Sequence, residues 1–301
     1  ATEFVRAVSD AGLPAGAANV VHGPGGTAGA ELVESPISRK IAFTGETATG
    51  RAVMAAAAAR IKRISLELGG QSPFIVCADA DLPAAAASAA HRAFSNMGQI
   101  CVSINRIYVA DEVAEAFTDQ LVSLAESLKI GDGMQPGVEL GPMFSSQQRE
   151  KTKEHVADAL ERGAELLAGG SEPEGEEFSR GFFFRPTVLG RADHSMRVMR
   201  EETFGPVAPI MKFRSVQEAV ALANDTEYGL AAYVYTDSIK TAIQVAEGLE
   251  AGGIGVNVNS VIDRQAPFGG WKQSGLGREL GRWGLEAYQE TKHIRVGVWK
   301  E

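Results

Sequence analysis

The sequence predicts an α/β fold built on doubly wound parallel sheet and divided into two domains. Three observations lead there. Short apolar strands alternate with helical stretches from residue 18 onward, the turns between them are rich in glycine, and the 301 residues are 45% hydrophobic and 22% charged, a balance suited to two packed cores.

Residues 4–11 read as a short helix, closed by Gly12-Leu13-Pro14 because Pro14 disfavours helical geometry in the residue before it. A strand at 18–22 follows, then the turn cluster Gly23-Pro24-Gly25-Gly26, a helix at 28–34 and a strand at 40–43. The segment 44–50 reads as a tight turn into an alanine-rich helix at 51–60, and 63–68 returns as a strand. This is βαβ rhythm. After Gly69-Gly70, where a domain boundary is expected, the apolar strand 73–77, the turn 78–81 and a long helix at 82–94 restart the pattern. Further strands are expected at 106–110, 184–189, 207–213, 231–235 and 255–258, with helices at 113–128, 145–162, 216–223 and 239–249. The acidic, Gly/Pro-bearing stretch 169–177 reads as an exposed loop. At the end Ile294, Val296 and Val298 alternate with Arg295, Gly297 and Trp299, the period of a half-buried strand. Such a strand pairs with a neighbouring subunit or forms an edge of its own sheet.

Charge and cysteine content narrow the function classes. With 29 basic against 38 acidic residues the net charge is -9, which opposes the phosphate neutralisation that drives nucleic-acid binding. No stretch approaches the roughly 20 apolar residues that span a bilayer, so no membrane role is expected. The two cysteines, Cys77 and Cys101, are too few for a disulfide framework and suit a reducing compartment, with the cytoplasm expected. The five histidines show no ligand spacing with one another or with the cysteines, so no catalytic metal is expected.

Four places can carry chemistry. Cys101, directly after Gly98-Gln99-Ile100, reads either as a thiol projected into a cleft or as a buried structural cysteine, whereas Cys77 ends an apolar strand and reads as core. Glu67, in Leu66-Glu67-Leu68-Gly69-Gly70, reads as a general base at the carboxyl end of a strand or as a solvated edge carboxylate. The G-x-T-x-x-G turn from Gly45 to Gly50 permits close backbone approach of a phosphate at a helix N-terminus. Glu201-Glu202-Thr203-Phe204-Gly205-Pro206-Val207 sets a carboxylate and an aromatic ring ahead of a strand, either a ribose-binding pair or a capped loop.

Together with Pro267-Phe268-Gly269-Gly270 and Gly275-Leu276-Gly277-Arg278-Glu279, these segments resemble, in order and along the whole chain, the NAD(P)-dependent aldehyde dehydrogenase superfamily. The separation of Glu67 and Cys101 fits that family's spacing of base and nucleophile. The resemblance implies a thiolate at Cys101 that attacks an aldehyde, and a thioester hydrolysed by water that Glu67 activates, with NAD or NADP as the hydride acceptor. It implies cofactor contacts from Thr44, Gly45, Glu46, Gly50, Leu68, Gly69, Glu202 and Phe204, and substrate contacts from Phe268 and from the nucleophile's neighbours Ile100 and Val102. An electropositive site that lowers the Cys101 pKa is expected, so that it labels faster than Cys77.

In domain terms the resemblance implies a remnant of a Rossmann-like cofactor domain over 1–70, an α/β catalytic domain over 71–288 and an oligomerisation strand over 289–301 of a homodimer or homotetramer. Roughly two-fifths of a family chain precedes the position matching Ala1, including the Asn of the oxyanion site and the adenosine-ribose contacts, so weak cofactor binding and turnover are expected of this chain alone. Glu46 stands where the family often has Ser, which sets a carboxylate beside a pyrophosphate. The product is expected to be a carboxylic acid from a small aliphatic, hydroxy- or semialdehyde. Ser95, six positions before the nucleophile where succinate-semialdehyde branches usually carry Arg, weighs against that substrate, and Arg264 reads as an anion contact or a surface ion pair. Two other readings stay open: a catalytically inert chain of the same fold, and a CoA-acylating semialdehyde dehydrogenase, a branch that usually lacks the Glu found at Glu67.

Overall fold

In the computed structural model, which describes residues 1–297, the chain divides into two units: residues 1–43 with 48–64, and residues 44–47 with the chain from Ser65 onward. The first unit opens with α1 (Thr2–Asp10), as expected. The strand expected at 18–22 is absent: the segment is irregular and exposed, and a strand without a ladder beside it leaves its amides to water. The helix expected at 28–34 is a π-helical turn at Gly25–Gly29 running into α2 (Ala30–Glu34). Lys62 closes this end, its Nζ donating to the carbonyls of Val33 and, at 2.6 Å, Ser35. Next come β1 (Lys40–Thr44), α3 (Thr47–Ala58) and β2 (Arg63–Glu67). α3 begins four residues earlier than expected, so Gly50 is a buried helical residue and the connecting turn is only Gly45-Glu46.

The second unit is organised by β3 (Ser72–Val76), buried along its whole length as a continuous apolar run requires. α4 (Leu82–Phe94) follows, with Asp81 as its cap: the side chain accepts the amide of Ala84 at 3.1 Å. Its buried alanines 85, 86, 89, 90 and 93 let the helix lie close to its neighbours, and Phe94 fills the end of that face. The chain continues through β4 (Ile104–Ala110), α5 (Ala114–Ser127), α6 (Ser146–Glu161), β5 (Glu165–Ala168), β6 (Thr187–Gly190), β7 (Val207–Phe213), α7 (Val216–Asn224), β8 (Tyr228–Gly229), β9 (Ala231–Tyr235), α8 (Ile239–Gly248), β10 (Gly253–Val256), β11 (Trp271–Lys272), β12 (Gly275–Leu276) and α9 (Gly281–Glu286).

Seven of these strands form one sheet in the order β10-β9-β3-β4-β7-β6-β5, parallel throughout except for β5 against β6. β8 pairs with β11, and β12 runs antiparallel to β2, with Gly275 opposite Glu67 and Leu276 opposite Leu66. The loop at 169–177 is mostly exposed, as its composition implies. Residues 289–297 form no strand, and Ile294 and Val296 face solvent; Val298 and Trp299, the rest of the expected alternation, lie outside the described residues.

One consequence of the strand order positions the site. β3, β4 and β7 are adjacent and parallel, so the segments leading into them meet at one edge of the sheet. Those segments are Gly69-Gly70, the stretch ending at Cys101 to Ser103, and 201–206.

Candidate active site

Cys101 follows a backbone that bends sharply out of α4. Asn96 and Met97 have φ of 53° and 59°, a left-handed region that costs non-glycine residues, and Gly98 follows at 67°. Gln99 ties the bend down: its Nε2 donates to the Asn96 carbonyl at 3.0 Å, and its Oε1 accepts the Phe144 amide at 2.8 Å. At Gly98 an added Cβ would come within 2.2 Å of the Gly205 carbonyl oxygen, so the cysteine segment and the 201–206 loop touch through bare backbone. At Gly70 a Cβ would come within 2.2 Å of the Cys101 carbonyl oxygen. Cys101 is half-buried and Cys77 is buried.

The three segments enclose a cavity of about 890 Å³ lined by Thr44, Gly45, Glu46, Leu68, Gly69, Ile100, Cys101, Glu202 and Phe204 together with Gln99 and the first two turns of α6. Nine of the residues expected at a site therefore share one space. Glu202 accepts the Gly70 amide at 2.9 Å, and the Gly69 amide donates to Thr47 Oγ1 at 3.3 Å. Phe204 has a φ of 52°, so the loop turns sharply at the residue that presents its ring.

Four expected residues lie apart from the cavity wall. Gly50 is inside α3, and Phe268 packs against the core, exchanging backbone hydrogen bonds with Glu279 at 2.7 and 2.8 Å. The Val102 side chain, 1% exposed, belongs to the core, its carbonyl accepts from the Tyr233 hydroxyl at 2.9 Å, and its amide is directed to the Cys101 thiol. Its side chain therefore does not line the cavity. Glu67 is 4% exposed, at the end of β2, and its Oε2 has no hydrogen-bond partner. Burial, with Glu279 nearby, lifts its pKa to about 7, while Arg278 pulls the other way.

The electrostatics correct one expectation. The cavity is not electropositive: Glu46, Glu150, Glu154 and Glu202 line it against Lys151. Burial, then Glu202 and Glu67, push the Cys101 thiol up, and the amides of Cys101 and Val102 only partly offset them. Burial also raises Glu202, opposed by the Gly70 amide and Lys151 and helped by Glu46. Cys77 is pushed to about 11 by burial and Asp79.

The sequence reading places α6 as a helix at 145–162 but gives it no part in the site. Ser145 caps it by accepting the Gln148 amide at 3.2 Å, and Gln147, Gln148 and Lys151 face the cavity from its first turns. A polar helix start after Pro142 was the available signal, but without the fold nothing tied it to Cys101. Arg264 lies exposed in its loop. Among the described residues no group of three or more His, Cys, Asp or Glu could hold a metal ion, and no helix is long and apolar enough to cross a membrane.

Comparison with known proteins gives the chain's family. The succinate-semialdehyde dehydrogenase [NADP(+)] of Escherichia coli (strain K12) is 46% identical over 288 residues, covering 96% of this chain and 59% of that protein. The 3-sulfolactaldehyde dehydrogenase of Pseudomonas putida is 45% identical over 297 residues, covering 99% and 60%. The crystal structure of a betaine aldehyde dehydrogenase from Staphylococcus aureus in complex with NAD+ superposes with a TM-score of 0.93 at 37% identity, covering 97% of this chain and 58% of that one. The chain thus spans about three fifths of the length of the relatives it matches. Residues 1–294 match the Aldehyde dehydrogenase family, and the chain belongs to that family.

Proposed function

We propose that this chain carries the nucleophile and the nicotinamide-side contacts of an NAD(P)-dependent enzyme that oxidises an aldehyde to a carboxylic acid. The observation that carries the reading is the single cavity in which the half-buried Cys101 faces Glu202, Phe204 and the Gly45-Glu46 turn. The donor set fits the cofactor: Glu202 spends Oε1 on the Gly70 amide, leaving Oε2 to accept from a ribose diol. Phe204 offers a flat apolar face, and the Gly45-Glu46 turn in the lining lets a phosphate approach the backbone. When bound, the nicotinamide supplies the acceptor for the hydride that leaves the substrate carbon.

The chain's own residues do the rest. The Cys101 sulfur adds to the aldehyde carbon, forming a thiohemiacetal, and after oxidation holds the acyl group as a thioester. Glu67, buried and poised near neutrality, takes the proton of the water that cleaves it. Its presence favours hydrolysis over transfer to coenzyme A. Residues 1–70 then form the end of a cofactor domain and 71–288 the catalytic domain, with 289–301 joining subunits of a homodimer or homotetramer. The substrate is a small aliphatic, hydroxy- or semialdehyde, a class to which the names of both relatives above belong.

The test is acyl trapping. Purified Glu67→Gln protein given NAD(P)+ and a panel of such aldehydes is expected to show a burst of reduced cofactor and an acyl adduct on Cys101 by intact mass. No adduct across the panel, with Cys101 labelling no faster than Cys77, would favour a catalytically inert chain, and release driven by coenzyme A would favour the acylating reaction.

A further inference from the structure

We propose that the polar stripe of α6 formed by the half-buried Gln148 and the buried Thr152 and His155 is the template that positions the Glu202–Phe204 loop, with His155 as its anchor. These residues fall at i, i+4 and i+7, one face of the helix, and that face packs inward. Buried polar side chains such as Thr152 and His155 are costly unless matched, and Thr152 donates to the Gln148 carbonyl of its own helix at 3.0 Å. All three meet the 201–205 loop. Gln148 Nε2 donates to the Thr203 carbonyl at 2.7 Å, and Thr152 Oγ1 lies so close to Gly205 that a Cβ there would approach it to 2.3 Å. His155, fully buried, has Nδ1 3.0 Å from Thr203 Oγ1 and Nε2 3.3 Å from Glu201 Oε2, the latter without hydrogen-bond geometry.

The anchors thus flank Glu202 in the chain. With Thr203 held from α6 on both its carbonyl and its hydroxyl, and the Glu201 carboxylate held by Arg197 at 2.9 and 3.0 Å beside His155, the Glu202 carboxylate is delivered to the Gly70 amide and the cavity. The loop needs such a hold, because the left-handed φ of Phe204 is strained and persists only where the surroundings fix it. Burial, then Arg197, pushes the His155 pKa down to about 4, so the imidazole is neutral at pH 7 and one of its two nitrogens donates. His155 touches neither substrate nor cofactor: it is a positioning residue, and its link to cofactor affinity rests on the reading of Glu202 given above.

The experiment compares His155→Phe, which keeps a ring but no hydrogen bond, His155→Gln, which restores one polar contact, and Thr203→Val, which removes the hydroxyl at constant volume. Amide hydrogen exchange of 201–206 and fluorescence titration with NADH and NADPH are read on the full protein. We expect His155→Phe and Thr203→Val to speed exchange in 201–206 about tenfold while α4 stays protected, and to weaken dinucleotide binding by about the same factor, the loss of one hydrogen bond. In turnover this becomes a higher cofactor KM with kcat within about twofold. His155→Gln recovers most of both. Unchanged exchange in 201–206 overturns the proposal, as does a His155→Gln no better than His155→Phe. If His155→Phe fails to fold, Thr203→Val decides alone. If the parent protein binds neither dinucleotide, the cofactor reading fails, while exchange still decides the positioning.

Discussion

Glu202 accepts the backbone amide of Gly70 at 2.9 Å across 132 residues of sequence. That bond joins the segment leading into β7 to the segment leading into β3, and Cys101 lies between them at the entrance to β4. The carboxylate is thereby committed twice, to the backbone that shapes the cavity and to the charge that raises the thiol beside it.

Glu202→Gln separates these two commitments, because an amide oxygen still accepts from Gly70 but carries no charge. The pH profile of Cys101 alkylation by iodoacetamide is expected to move to lower pH in this variant, since one of the two carboxylates that raise the thiol is gone. Cys77, buried and pushed to about 11, is expected to label at least about tenfold more slowly in either protein. Peptide mapping of the alkylated cysteines checks both, and an unmoved Cys101 profile would mean that burial and Glu67 set it without Glu202.

The central sheet was legible because its apolar runs are continuous: 73–77, 207–213 and 231–235 all became strands within a residue or so of expectation. The failures have physical causes. Residues 18–22 have strand composition but no neighbouring strand in the described chain, and the two-residue β8, β11 and β12 are created by tertiary pairing that leaves no periodic trace. At the site, the glycines and Glu202 were legible from spacing. The direction of the Cys101 shift was not, because it depends on how deeply the thiol is buried and on Glu202 and Glu67 being brought to it from distant segments.

Gly98→Ala tests the backbone contact beneath the nucleophile. Alanine at a φ of 67° is strained, and its Cβ would meet the Gly205 carbonyl oxygen at 2.2 Å, a backbone atom that cannot rotate away. The expected cost is on the order of 1–3 kcal/mol in urea unfolding, with faster hydrogen exchange in both 96–101 and 201–206. A variant as stable as the parent would mean that the two segments are free to separate.

The pH dependence of deacylation follows from Glu67. Only the carboxylate can take a proton from water, and burial places its pKa at about 7. Thioester hydrolysis is therefore expected to rise about tenfold per pH step below 7 and to level above it. In Glu67→Gln it should be slow with that inflection absent. Single-turnover release of acid after a preformed burst measures it directly. An inflection that survives in Glu67→Gln would assign the base to another group.

The same residue should make the fold less stable as pH rises. In the unfolded chain Glu67 loses its proton near the ordinary 4.5, but in the folded chain only near 7. Between those values the folded state binds more protons, so stability falls as pH rises through the window, and the full deficit is present above 7. Below 4.5 both states are protonated and the deficit vanishes. Replacing Glu67 by Gln removes the titration while keeping the shape, so the variant's advantage should be near zero at pH 4 and grow to on the order of 2–3 kcal/mol at pH 8. Urea midpoints of both proteins at the two pH values test this. An advantage that is constant with pH would show that Glu67 titrates alike in both states, and its burial would then cost the fold nothing.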